Sequence, residues 1–125
     1  MGLTHKMLLV KESWRAKEGR EVEFLIDSGA VHSVVPGAVL PGLGIEAYKT
    51  LKFVLADGAI IERQVGDAYF EYNGEGGAAP VVFGEVGDEA LLGSTTLESL
   101  GLVLNPFKRE LYPMRLMLAR SNVSG

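Results

Sequence analysis

The chain has 125 residues, 47% of them hydrophobic, and carries a formal net charge of −4. That length suits one compact domain and is short for two, and the apolar fraction excludes a disordered chain. Cysteine is absent, which excludes disulfides and thiolate chemistry, and the acidic balance argues against nucleic acid as a partner.

Sixteen glycines punctuate short runs of β-branched and aromatic residues, so a mainly β domain with one helix is predicted. Leu3 to Val10 is a predicted strand, and Lys11 to Gly19 a polar loop. Glu21 to Ile26 alternates, with Val22, Phe24 and Ile26 on one face, and runs directly into Asp27-Ser28-Gly29. Leu51, Phe53 and Leu55 alternate with Lys52 and Val54 up to Asp57-Gly58, a hairpin-turn pair, and Ile60 to Val65 is the returning strand. Gly66 to Tyr72 is read as a further strand ending at Asn73-Gly74, Ala79 to Phe83 as another, and Gly84 to Glu89 as an acidic turn. A helix is predicted after Leu91-Leu92-Gly93, with Thr95 as its cap and Glu98 completing a capping box. Leu97 and Leu100 give it a buried stripe, and Gly101 ends it. Leu102 to Leu104 and Glu110 to Tyr112 flank the turn Asn105-Pro106. Met114 to Ala119 is a last candidate strand, and Ser121 to Gly125 a frayed end. Neither repeat nor linker divides the chain, so residues 1–125 are read as one domain, with about 114–125 as its C-terminal strand and tail.

No apolar stretch approaches the roughly 18 residues that span a bilayer, and Met1 to Val10 has no signal-peptide pattern. A cytoplasmic protein with no membrane partner is expected. His5 and His32 are far apart and lack clustered acids, so neither a metal nor another cofactor is expected. Trp14, in a polar loop, reads as a packed loop anchor ahead of a partner contact. Glu85 to Glu89 reads as a solvated turn, and Gly74 to Gly77 has no helix start with which to bind phosphate.

The chemistry concentrates in Phe24 to Ala30, where three apolar residues deliver a carboxylate, a hydroxyl and a glycine into a turn. An acid at the end of a buried strand is costly unless something satisfies it. Ser28 can donate within the turn, and Gly29 allows a positive φ or a close backbone approach. Taken alone, Asp-Ser-Gly is an ordinary Asx turn, since all three residues favour turns.

Phe24 to Pro36 (FLIDSGAVHSVVP) also resembles the active-site segment of retropepsin-like aspartic peptidases: an apolar run, Asp-Ser/Thr-Gly-Ala, then a short apolar strand. Downstream, Ala90-Leu91-Leu92-Gly93 and the helix after it are similar to that family's second hallmark. Asn105-Pro106 and Leu111-Tyr112-Pro113 resemble the turn and strand that come next in bacterial relatives. The Leu51–Val65 hairpin stands where the family places its flap. The resemblance spans roughly Leu3 to Pro113 and implies a closed β-barrel with one main helix near the C-terminus and a flap over the active site.

It also implies an aspartic endopeptidase built as a homodimer, because the chain has a single Asp-Ser/Thr-Gly and the chemistry takes two carboxylates. Asp27, Ser28 and Gly29 would form the catalytic turn, and a peptide or protein substrate would lie along Ala30, Val31 and His32. The hairpin tip Ala56-Asp57-Gly58-Ala59 would close over it, with Leu92 also on the substrate side. Leu3 to Val10 and the apolar C-terminal stretch are the expected interface strands. The sequence departs from well-known viral relatives at Ser94, where they carry an arginine that helps lock the dimer. It departs again at Val31, where an acidic residue is common. Two other readings stay open. One is a peptide-binding dimer of the same fold without catalysis. The other is an unrelated small β-barrel that binds a ligand and uses Asp27 only to form a turn.

Overall fold

Val22, Phe24 and Ile26 share one face of their strand, and a slip of one residue would bury Glu21 and Glu23 instead. Such alternation recurs through the computed structural model, which describes residues 3–115 and is mostly β. Its strands are β1 (His5–Lys11), β2 (Gly19–Ile26), β3 (Ser33–Pro36), β4 (Lys49–Val54), β5 (Ile60–Tyr72), β6 (Glu75–Gly84), β7 (Leu91–Leu92), β8 (Leu102–Asn105) and β9 (Glu110–Pro113). A 3-10 turn at Pro41–Leu43 and the helix α1 (Ser94–Leu100) complete the described elements. Among the described residues, no helix is long and apolar enough to cross a membrane.

Seven strands hydrogen-bond in the order β1-β2-β7-β3-β6-β5-β4, and β1 also pairs with β5 through Leu9, Val10 and Lys11. β8 and β9 form a separate hairpin. Although β2 and β3 are consecutive, β7 lies between them, parallel to β2 and antiparallel to β3. The segment joining β2 to β3 must therefore arch over the end of β7, where α1 begins. This crossing puts Asp27 beside the helix start. Beneath it, Phe24 and Phe70 pack with ring centroids 6.0 Å apart among the buried side chains of Leu8, Val10, Leu92, Leu97 and Leu100. Each such side chain contributes about 1.5–3 kcal/mol on burial.

Both hairpin turns fall where the sequence predicts them. Asn73 and Gly74 have φ of 48° and 85°, and Gly58 has φ of 89°, the left-handed backbone that Asn and Gly accept most readily. Three expectations need correction. Ile60–Val65 and Gly66–Tyr72 are one continuous strand. Gly66 does not break it, because that glycine is the buried point where the Glu46 backbone crosses; a Cβ there would stand 2.5 Å from the Glu46 carbonyl oxygen. Thr95 does not cap α1: Gly93 holds the cap position without a side-chain hydrogen bond, and Thr95 lies inside the first turn. The N-terminal strand is also only partly free for an interface, since Leu9 to Lys11 are bonded at both edges, to β2 and to β5. The predicted strand Met114–Ala119 lies mostly outside the described residues, as does the expected C-terminal interface segment.

Candidate functional site

Asp27 sits at the end of β2, half-buried, in a turn closed by its own groups. Its amide donates to the Leu92 carbonyl at 2.9 Å, fixing the turn to β7. Its Oδ1 accepts the Gly29 amide at 3.0 Å, and its carbonyl accepts the Ala30 amide at 3.1 Å. Gly29 is not in the left-handed region, contrary to one use the sequence offered for it. A Cβ on Gly29 would stand 3.3 Å from the same Oδ1, so its lack of a side chain lets the amide approach the carboxylate. Ser28 is exposed on the outside of the turn.

The arch continues into the helix. The Ser94 amide donates to the Ala30 carbonyl at 2.7 Å, and the Thr95 amide to the Val31 carbonyl at 3.2 Å. Two N–H groups that a helix start leaves without partners are thus satisfied by the loop that carries Asp27. Gly93 makes this contact possible, because a Cβ there would meet the His32 and Val31 carbonyl oxygens at 2.7 and 2.8 Å. Below the arch, the fully buried hydroxyls of Ser33 and Thr96 hydrogen-bond each other, and Ser33 Oγ accepts the Gly93 amide at 2.9 Å. Sequence reasoning missed this pair, since serine and threonine read as ordinary strand and helix residues.

Beyond the turn lies an apolar groove of about 770 Å³. Ala30, Val31, His32, Val34 and Leu91 form one wall, and Leu51, Phe53 and Ile61 of the β4–β5 hairpin form the other. The cross-strand pairs Leu51–Arg63 and Phe53–Ile61 set this inner face. The His32 ring meets Phe53 edge-on, with centroids 5.7 Å apart. Among the predicted substrate residues, Ala30, Val31 and His32 do line the groove. Leu92 does not: its side chain is fully buried in the core, and Leu91, one residue earlier, faces the groove instead. The tip Ala56–Ala59 is an exposed turn held by the Ala59 amide on Asp57 Oδ1 at 2.9 Å. The hairpin stem, through Phe53, Val54 and Leu55, reaches the groove.

One charged pair borders the groove. Arg63 Nε and Nη2 donate to the two carboxylate oxygens of Asp88 at 2.7 and 3.1 Å. The guanidinium hydrogen bond holds the Asp88 carboxyl below its ordinary range, and the same bond raises the Arg63 pKa. Arg63 was missed from the sequence although it keeps phase with Ile61 and Val65, which places it on the inner face. Among the described residues, no three His, Asp or Glu side chains gather as a metal site would require.

The chain matches no protein-family model, and no curated protein matches it.

Proposed function

We propose that this chain is one subunit of a homodimeric aspartic endopeptidase of the retropepsin-like type, with Asp27 as the carboxylate each subunit supplies. One observation carries the reading: Asp27 is fixed in a closed turn that runs through Ala30 into the wall of an apolar groove, whose opposite wall is the β4–β5 hairpin. Two further features support it. The strand pairings run in a circuit, β1-β2-β7-β3-β6-β5 and back to β1, as a closed barrel requires. The Phe24–Pro36 and Ala90–Leu100 motifs also meet in space, through the Ala30–Ser94 and Val31–Thr95 hydrogen bonds.

In the proposed dimer, Asp27 of each copy lies on the two-fold axis, and the exposed Ser28 hydroxyls brace the two turns. Two carboxylates that close cannot both ionise, so they share one proton. The ionised one takes a proton from water, and the resulting hydroxide adds to the scissile carbonyl carbon. The protonated one gives its proton to the carbonyl oxygen. When the tetrahedral gem-diol collapses, one of its hydroxyls returns its proton to the dyad as the carbonyl re-forms, the C–N bond breaks, and the leaving amine takes up a proton from the dyad, which again holds one. An extended peptide along Ala30 to His32 would present apolar side chains to Val34, Phe53 and Leu91.

The non-catalytic reading, a dimer that binds peptides without cleaving them, draws on Val31. Val31 is 59% exposed at the groove, where retropepsin-like peptidases commonly carry an acid. Cleavage of a diverse peptide library from mildly acidic to neutral pH, with Asp27→Asn alongside, separates the two. The peptidase reading expects cleavage that vanishes in the variant and a particle of twice the 13.4 kDa chain mass in light scattering. Dimers that bind peptides and cleave none would give the binding module the lead, and a monomer at high concentration would sink both.

A further inference from the structure

The β4–β5 hairpin is a cantilever. β5 pairs with β6 only from Val65 to Tyr72, whereas Ile60 to Gln64 pair with β4 alone, and β4 is the last strand in the sheet order. A two-stranded ribbon is marginal in water, so its contacts with the body decide where it stands over the groove. One contact is the edge-on meeting of His32 and Phe53. Another lies near the root, two residues from Val65, where Arg63 takes Asp88 in a two-point grip.

That grip is built on both sides. Arg63 Nη1 also donates to the Glu62 carbonyl at 2.9 Å and lies 3.5 Å from Glu85 Oε1. Asp88 Oδ2 accepts the Glu85 amide at 2.8 Å, so the carboxylate closes its own loop before that loop runs into β7 and Leu91. The Arg63 side chain is only 14% exposed. It borders both the peptide groove and a second depression behind the hairpin, lined by Ala38, Thr50 and Val86. Arg63 therefore stands between two open spaces, and Asp88 holds it from the groove side. Among the described residues, Arg63 alone makes ion pairs from the hairpin to the loop before β7.

We propose that the Arg63–Asp88 pair is a positioning clamp that sets the angle of the hairpin over the groove, and with it the spacing between Phe53 and the Ala30–His32 wall. The inference rests on reading the hairpin as the roof of a peptide site. Arg63 touches no reacting atom; it acts through Phe53 and its neighbours. Productive peptide binding depends on it, and the chemistry at Asp27 does not. Only a planar fork reaches both oxygens of Asp88, so lysine in place of Arg63 restores the charge without the angle.

Two measurements on the full chain test it. In amide hydrogen exchange, Arg63→Gln and Asp88→Asn should each open residues 50–62 about tenfold faster while 66–72 on β5 keep their protection. Arg63→Lys should fall between, and Arg63→Asp combined with Asp88→Arg should recover at least part of the protection. In peptide hydrolysis, KM should rise about fivefold with kcat within about twofold of the parent. Unchanged exchange over 50–62, an equal loss of protection across the whole sheet, or a fall in kcat at constant KM would each overturn the clamp. The exchange measurement needs no activity, so a chain that cleaves nothing defeats the peptidase reading while leaving the clamp to be decided on its own.

Discussion

The hydroxyls of Ser33 and Thr96, 63 positions apart in sequence, hydrogen-bond each other in the fully buried layer beneath the Asp27 turn. Ser33 also receives the Gly93 amide, so one oxygen joins β3, the end of β7 and the first turn of α1. Through that junction the arch carrying Asp27 is held from below.

Removing one partner of a buried pair leaves the other without compensation, at a cost of about 1–3 kcal/mol. Thr96→Val keeps shape and strands one hydroxyl, whereas Ser33→Ala strands both the Thr96 hydroxyl and the Gly93 amide. Ser33→Ala should therefore be the more destabilising, and the double variant less so than the sum of the two. Urea unfolding of the three variants checks this. Strict additivity would mean that the two hydroxyls do not act as a unit.

Gly93 is expected to tolerate no side chain. A Cβ would stand 2.7–2.8 Å from backbone oxygens of Val31 and His32, atoms with little room to retreat because the same loop accepts the Ser94 and Thr95 amides. Gly93→Ala should cost about 1–3 kcal/mol by overpacking. It should also shift the amide resonances of residues 27–32 more than those of β8 and β9. A variant as stable as the parent, with the loop undisturbed, would show that the close approach is not required.

Legibility in the sequence depends on the range of each interaction. β2, the Asp27 turn and the hairpins at Gly58 and Asn73-Gly74 were legible because period-two alternation and turn chemistry are written in adjacent residues. The helix was legible in its apolar stripe and its end at Gly101, but not in its beginning. There the amides find carbonyls at Ala30 and Val31, more than sixty positions away, so a local hydroxyl cap was neither needed nor present. Gly66 misled for a similar reason: its crossing partner, Glu46, belongs to another segment, and a glycine read locally looks like a break. Leu92 and Leu91 were interchanged because a two-residue strand carries no periodicity from which to tell its inner from its outer face.

Asp27 contributes to the fold through one oxygen and to the proposed chemistry through its acidity, and two substitutions separate these roles. A carboxamide keeps an acceptor for the Gly29 amide, so Asp27→Asn should leave stability within about 0.5 kcal/mol of the parent while abolishing hydrolysis. Asp27→Ala loses that acceptor as well and should cost about 0.5–1.5 kcal/mol, the net worth of an exposed hydrogen bond. Thermal unfolding with a peptide-cleavage assay distinguishes them. Residual cleavage by Asp27→Asn at the parental rate would remove Asp27 from the mechanism.

Acid should loosen the protein at Asp88 in a definite direction. Its carboxyl titrates below the ordinary value chiefly because the Arg63 guanidinium hydrogen-bonds the charged form; burial opposes this, and the Glu85 amide adds a further hydrogen bond that lowers it. A carboxyl whose folded pKa lies below its unfolded one binds fewer protons when folded, so it adds stability that is complete above the unfolded value of about 3.9. That contribution is lost as pH falls through the folded pKa. Arg63 is shifted upward by the same hydrogen bond and stays charged throughout the acid range, so its titration adds nothing there that offsets the loss. The difference in unfolding free energy between the parent and Asp88→Asn should therefore be constant from about pH 5 to 7 and shrink steadily below about pH 4. Urea midpoints across that range measure it directly. A difference that persists undiminished at pH 2 would mean that the Asp88 contribution comes from packing rather than from its charge on Arg63.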